Sequence, residues 1–178
     1  MPPASVAIMQ QSSPDSPTLW PSVALAAAGI VTGLSAGIFV AFQVAVLPGL
    51  KQVDDDAFVA TFQAINRAIV NPAFLAVFFG APILIGIATA GWWQDDRPVA
   101  VWLGIALALQ VANLAITIGG NIPLNDALAG AGIVTGPGAT AARSAFEAPW
   151  SRLHTVRTLA SVASTVAIGV AAILGIRK

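Results

Sequence analysis

The charged residues of this chain fall in bunches, and between the bunches lie four windows with no charge at all. They run from Asp15 to Lys51, from Arg67 to Asp95, from Arg97 to Asp126 and from Arg157 to Arg177. A helical crossing of a bilayer needs about 20 mainly apolar residues. In lipid the backbone polar groups must be satisfied within the segment, so such a stretch is helical. Each window therefore holds one crossing, and the expected fold is all-α: an integral membrane bundle of four transmembrane helices, multi-pass in the cell membrane. Composition agrees, with 57% hydrophobic residues, 9% charged and a mean hydropathy of +0.82, against roughly 25% charged in soluble domains.

Local signals place the helices at about 20–47, 72–93, 99–120 and 149–176. Pro48-Gly49 ends the first. Asn71-Pro72 supplies a cap and a proline whose missing N–H is harmless in a first turn. Trp92-Trp93 marks an interface, where indoles settle. Pro123 disfavours helical geometry at Ile122, which stops the third helix near Asn121, and Pro149 reads as the start of the fourth. Residues 1–18 are expected to be a disordered tail and residues 19–178 a single domain. With no Lys or Arg before the first apolar run, that run reads as a retained helix and not a signal peptide.

Four crossings put the two long loops on one side of the membrane, and each loop contains a short helix. From Asp54 to Ile69, Phe58, Phe62, Ile65 and Ile69 share one face, and this segment is expected to lie along the membrane surface or to cap the bundle. Its three leading aspartates suit the positive end of a helix better than a metal site. The second loop holds a turn through Gly136-Pro137-Gly138 and a helix-like run from Ala139 to Phe146. Positive charge is denser on the long-loop side, which favours a cytoplasmic location. Arginines with structural or catalytic work confound that count, and orientation stays open.

Several function classes are excluded. Eight basic residues balance eight acidic ones, so no positive field exists to hold nucleic acid. Without cysteine there are no disulfides, thiolate nucleophiles or iron–sulfur ligands, and a single histidine forbids a multi-histidine metal site within one chain. An ion-coupled exporter is disfavoured because no window carries a central acid.

Polar side chains nevertheless recur at helical spacing inside three windows. The first carries Thr32, Ser35 and Gln43; the third carries Gln110, Asn113, Thr117 and Asn121; the fourth carries His154, Thr158, Ser161 and Thr165 with Arg157 at the edge. Unpaired polar groups in hydrocarbon cost free energy, so these rows are expected to face one another. Their richest ends reach the same depth beneath the long loops, which predicts a pocket there, roofed by the loops and open to lipid. Gly29, Gly33 and Gly37 form a stripe for close packing, within the chain or between copies in a homo-oligomer.

The segments Pro48-Gly49-Leu50, Phe62 to Asn66, Asn71 to Phe74, Asn121 to Asn125 and Phe146 to Thr158 follow one another in an order that resembles the anthrone oxygenase family of small four-helix membrane proteins. The resemblance implies oxidation of a polycyclic anthrone, a hydrophobic aromatic small molecule, to a quinone by O2 in aromatic polyketide metabolism, a monooxygenase-type oxidoreductase. Chemistry then suggests the roles. Proton removal from the substrate makes an electron-rich enolate that reacts with O2 without a cofactor, so a base, oxyanion donors and a dry flat pocket suffice. His154 is the expected base, and Arg157, Asn121 and Asn125 are expected to hold the oxyanion. Gln43, Gln110, Asn113, Thr117, Trp150 and Thr158 are expected to line the substrate site, with Trp150, Phe146 and Phe39 as aromatic walls. No cofactor is expected; the less favoured metal alternative would recruit His154 with Glu147 and Asp126. The competing class is a non-catalytic membrane protein that binds a hydrophobic metabolite or serves as an accessory subunit.

Overall fold

The structure, a computed structural model, describes residues 19–177; the expected disordered tail lies outside the described residues. The helices are α1 (Trp20–Leu50), α2 (Asp55–Ile69), α3 (Pro72–Asp95), α4 (Arg97–Gly130) and α5 (Pro137–Ile176). All but α2 are long and apolar enough to cross a membrane. The four spans close into a ring in which α1 packs on α3, α3 on α4, α4 on α5, and α5 back on α1. Among the described residues there is no strand, so the protein is the multi-pass four-helix membrane bundle that its charge-free windows require.

Side-chain caps begin three of the helices. Asp54 accepts from the Ala57 N–H at 2.8 Å ahead of α2, Asn71 from Phe74 at 3.0 Å ahead of α3, and Asp96 from Val99 at 3.4 Å ahead of α4. Each satisfies one of the donors a helix leaves unmatched in its first turn. The other two loop aspartates tie α2 to the start of α5. Asp56 accepts from the Gly136 N–H at 2.8 Å, while Asp55 accepts from Thr140 at 2.6 Å and from Arg143 at 3.1 Å. All three carboxylates thus serve helix ends and loop anchoring.

Three boundaries differ from expectation, for related reasons. Helix α1 runs past Pro48-Gly49 to Leu50, and α4 runs past Pro123 to Gly130. In each, a five-residue π turn precedes the proline: Phe42–Val46 in α1 and Thr117–Asn121 in α4. The proline then falls in the first turn of the renewed α-helix, where its missing N–H is tolerated. Helix α5 starts at Pro137 and carries Pro149 in its interior, so the expected loop helix and fourth span are one 40-residue helix. The glycine stripe is only partly used within the chain. A Cβ on Gly29 would meet Ile168 at 3.6 Å, but nothing lies within 4 Å of one on Gly33 or Gly37.

Two apolar cores separate along the bundle axis. At the end near the chain termini, small and branched residues such as Ala28, Ile85, Leu103 and Ala171 pack tightly. Beneath the long loops, Phe58 and Phe62 of α2 dock onto Phe146 and Trp150 of α5, with Leu47 and Leu128 beside them. The amphipathic α2 therefore caps the bundle through its aromatic face. Elsewhere Thr32, Ser35, Gln110, Asn113, Ser161 and Ser164 are buried on α1, α4 and α5. As expected, α3 has no such polar row; its buried residues are Phe78, Ala81, Ile85 and Ala88.

Candidate functional site

His154 is almost fully buried, and both of its ring nitrogens are engaged. Arg157, one turn later on α5, donates to Nδ1 from Nε at 3.2 Å and from Nη2 at 3.1 Å. Nδ1 must then be the acceptor, which puts the proton of a neutral imidazole on Nε2. That proton points to the Phe39 carbonyl of α1, with Nε2 and oxygen 3.2 Å apart. The carbonyl lies just ahead of the α1 π turn, where the regular i to i+4 ladder is disturbed. Trp150 lies one turn before His154, with the two rings stacked at 4.9 Å and 16°.

Arg157 is only 8% exposed, and among the described residues no carboxylate lies within ion-pair distance of it. Its Nη1 donates to Thr117 Oγ1 at 3.3 Å, and the Thr117 hydroxyl donates in turn to the Asn113 carbonyl at 2.8 Å. Its guanidinium lies over Phe39 at 4.9 Å and Trp150 at 5.2 Å. Cation–π contact and neutral partners offset part of the desolvation cost of the charge but supply no negative charge.

The pair forms part of the wall of a cavity of about 240 Å³ among α1, α2, α3, α4 and α5. The rest of the wall is mostly aromatic: Phe39 and Phe42 from α1, Phe74 and Phe78 from α3, and Trp150. Ile38, Val70, Leu75, Phe79, Ile118 and Ile122 also line it and are exposed apolar residues, so the mouth is apolar and faces the side of the bundle.

The sequence-predicted residues divide by position. Thr117, Asn125, Trp150, His154 and Arg157 line the cavity. Asn125 Oδ1 accepts from Trp150 Nε1 at 2.7 Å, which fixes the indole. Asn121 and Thr158 stand behind the wall, Asn121 donating to the Trp150 carbonyl at 3.3 Å and Thr158 to the His154 carbonyl at 2.7 Å. Gln110 and Asn113 lie away from the cavity, where Gln110 donates to Ser161 at 3.4 Å and so joins α4 to α5, while Asn113 donates to Gln110 at 3.3 Å within α4. Gln43 is not in the cavity lining and accepts from Thr155 at 3.3 Å, while Phe42 beside it lines the cavity together with Phe39 three residues earlier. Phe146 belongs to the core under α2.

The metal donor set is not assembled. Glu147 is held by Arg143 at 2.7 Å, Asp126 is exposed, and among the described residues no group of three His, Asp or Glu side chains is placed to hold an ion. Residues that sequence reasoning missed are Phe42, Phe74, Phe78 and Asn66. The first three carry the aromatic wall, and a signal existed in the i, i+4 spacing of Phe74 and Phe78.

Fold and site together define a four-span membrane protein with an aromatic, laterally open cavity and a buried, uncompensated cation in its wall. The family model described as anthrone oxygenase matches residues 58–167, from α2 through most of α5, and the chain belongs to that family. At the level of the family this supports a membrane oxygenase-like role. No curated protein and no solved structure matches the chain.

Proposed function

We propose that the protein oxidises a polycyclic aromatic or phenolic substrate, such as an anthrone, with O2 inside the lateral cavity. The observation that carries this reading is Arg157, a buried guanidinium without a carboxylate partner on the wall of an aromatic cavity. An anthrone that loses a methylene proton becomes an enolate with its charge on oxygen, and that oxyanion is the partner Arg157 lacks. As the oxyanion takes over the guanidinium N–H groups, Nδ1 of His154 is released to accept the methylene proton. The enolate gives one electron to O2; the two radicals combine to a carbon-bound peroxide anion, which takes the proton back from His154 and then loses water to leave the new carbonyl. The balance is a CH2 group and O2 converted to C=O and H2O. The aromatic walls exclude water and hold the rings flat. Lipid supplies the substrate through the side mouth, and the long-loop helix α2 closes the top.

The test is oxygen uptake by the detergent-purified protein with an anthrone, alongside metal analysis and optical spectra. Acceleration over empty detergent, with one quinone formed per O2 consumed, is expected, and His154→Ala should remove most of it with the fold intact. No acceleration across several anthrones and phenols refutes the reading. A second reading, binding without turnover, is favoured by one observation: His154 has no free lone pair while Arg157 occupies Nδ1. In that case the ligand returns unchanged from aerobic incubation.

A further inference from the structure

The free hydrogen-bonding capacity of the cavity wall is unevenly distributed. His154 has spent both nitrogens, and Thr117 both donates to a carbonyl and accepts from Arg157. No Asp or Glu lines the cavity. What is left is mainly donor capacity: Arg157 beyond its present bonds, the Nδ2 group of Asn125 opposite its Trp150 bond, and Asn66.

Asn66 is the outlier. It sits on α2, on the same helix as Phe58 and Phe62, and its neighbours Ile65 and Ile69 also line the cavity. Its Nδ2 is buried and has no hydrogen-bond partner; Thr32 Oγ1, Asn113 Oδ1 and Asn121 Oδ1 share that condition, but of the four residues only Asn66 lines the cavity. A buried amide donor left unmatched costs free energy, and natural proteins keep few of them. An alanine or leucine would be the cheaper residue at this position if the helix only capped the bundle.

We infer that Asn66 is a specificity-determining donor that binds a second oxygen of the cavity ligand, so that the preferred ligands are planar aromatics with one ionisable oxygen for Arg157 and another hydroxyl or carbonyl oxygen for Asn66. This rests on the cavity being the ligand site, as proposed above, and does not depend on turnover. Because Asn66 comes from α2 and Arg157 from α5, a ligand with two oxygens also ties the capping helix to the bundle. A one-oxygen ligand leaves the amide unmatched and gains nothing from α2 beyond apolar contact.

The experiment is a binding titration without oxygen, using 2-naphthol and 2,6-dihydroxynaphthalene with the purified full chain, corrected for each compound's partition into detergent. Tryptophan quenching reads the occupancy, because Trp150 is in the wall. The wild-type protein is expected to prefer the diol by about tenfold, the size of one donor matched or unmatched in a buried site. Asn66→Leu should bring the two affinities to within about twofold of each other, with the loss falling on the diol, and a thermal melt of the same preparation reports that the variant is folded. Asn66→Gln, which keeps the amide, should restore part of the preference. An unchanged preference in Asn66→Leu, or an equal loss for both ligands, overturns the inference and makes Asn66 a packing residue. Failure of wild-type protein to bind either naphthol overturns it together with the ligand site, whereas intact discrimination without oxygen uptake leaves it standing and removes only the oxygenase reading.

Discussion

Replacing Arg157 by Met separates a binding cation from a structural one, because the first role predicts a large loss of turnover with little change in stability and the second predicts the reverse. In the structure the guanidinium makes hydrogen bonds to two side chains, His154 and Thr117, and no ion pair. Loss of these bonds leaves Nδ1 of His154 and Oγ1 of Thr117 short of a donor, at about 1–3 kcal/mol for each buried group. Against that, the variant no longer holds an unneutralised charge out of water, a penalty of several kcal/mol. Met is unbranched, close in length and able to fill the space between Phe39 and Trp150. The two contributions offset to within about 2 kcal/mol. At this chain length that is a change in melting temperature of less than about 8 °C in either direction. Turnover should respond quite differently: removal of a main oxyanion donor costs about 10²–10³ in rate. The assays are a thermal melt in detergent and oxygen uptake with an anthrone on the same preparation. A melt lowered far beyond that range, with the remaining folded protein turning over at the parental rate, would refute the reasoning.

Other changes probe the surrounding parts. Trp150→Ala removes a nearly fully buried indole stacked on His154 and should cost about 3–5 kcal/mol, read as a lower melting temperature and lost ligand quenching. Asn71→Ala removes the cap of α3 and should cost about 1 kcal/mol in the same melt without altering ligand affinity. Ile118→Trp narrows the exposed apolar mouth; association and dissociation should slow together in stopped-flow quenching with the equilibrium constant nearly unchanged, and a selective effect on dissociation would speak against a lateral portal.

The spans were legible because charge is intolerable at the bilayer centre, and the gaps between charged residues therefore mark the helices directly. The polar rows were legible for a similar reason: side chains such as Gln110, Asn113 and Ser161 have to meet inside, and a regular helical period shows which ones can. The two π turns left no such trace. The first interrupts the regular helical period where Gln43 lies, and both let a proline, Pro48 or Pro123, sit inside a continuous helix where it reads as a stop. Pro149 also reads as a boundary, yet it lies inside a helix of 40 residues, with Phe146 before it and Trp150 after it both buried. The aromatic half of the cavity was hidden because phenylalanines on α3 look like lipid-facing residues until neighbouring helices are placed around them. Asn66 was concealed by being polar on an amphipathic helix, where polarity is the ordinary condition of one face. Its position four residues after Phe62, between Ile65 and Ile69, was the available sign that it belongs to the apolar side.

The central claim is that Arg157 supplies the positive charge for a ligand oxyanion in a cavity open to lipid. A hydroxyanthraquinone dye whose colour reports ionisation tests it most directly, titrated with pH while bound to the protein. A cation about 4 Å from the phenol oxygen is worth up to about 4 kcal/mol at an effective dielectric constant near 20, reduced by the cost of burying the phenolate. The bound dye should therefore turn to its ionised colour at least about one pH unit lower than in detergent alone, and Arg157→Met should abolish that difference. Ionisation of the bound dye at the same pH as in empty micelles, or equally in both proteins, would contradict it.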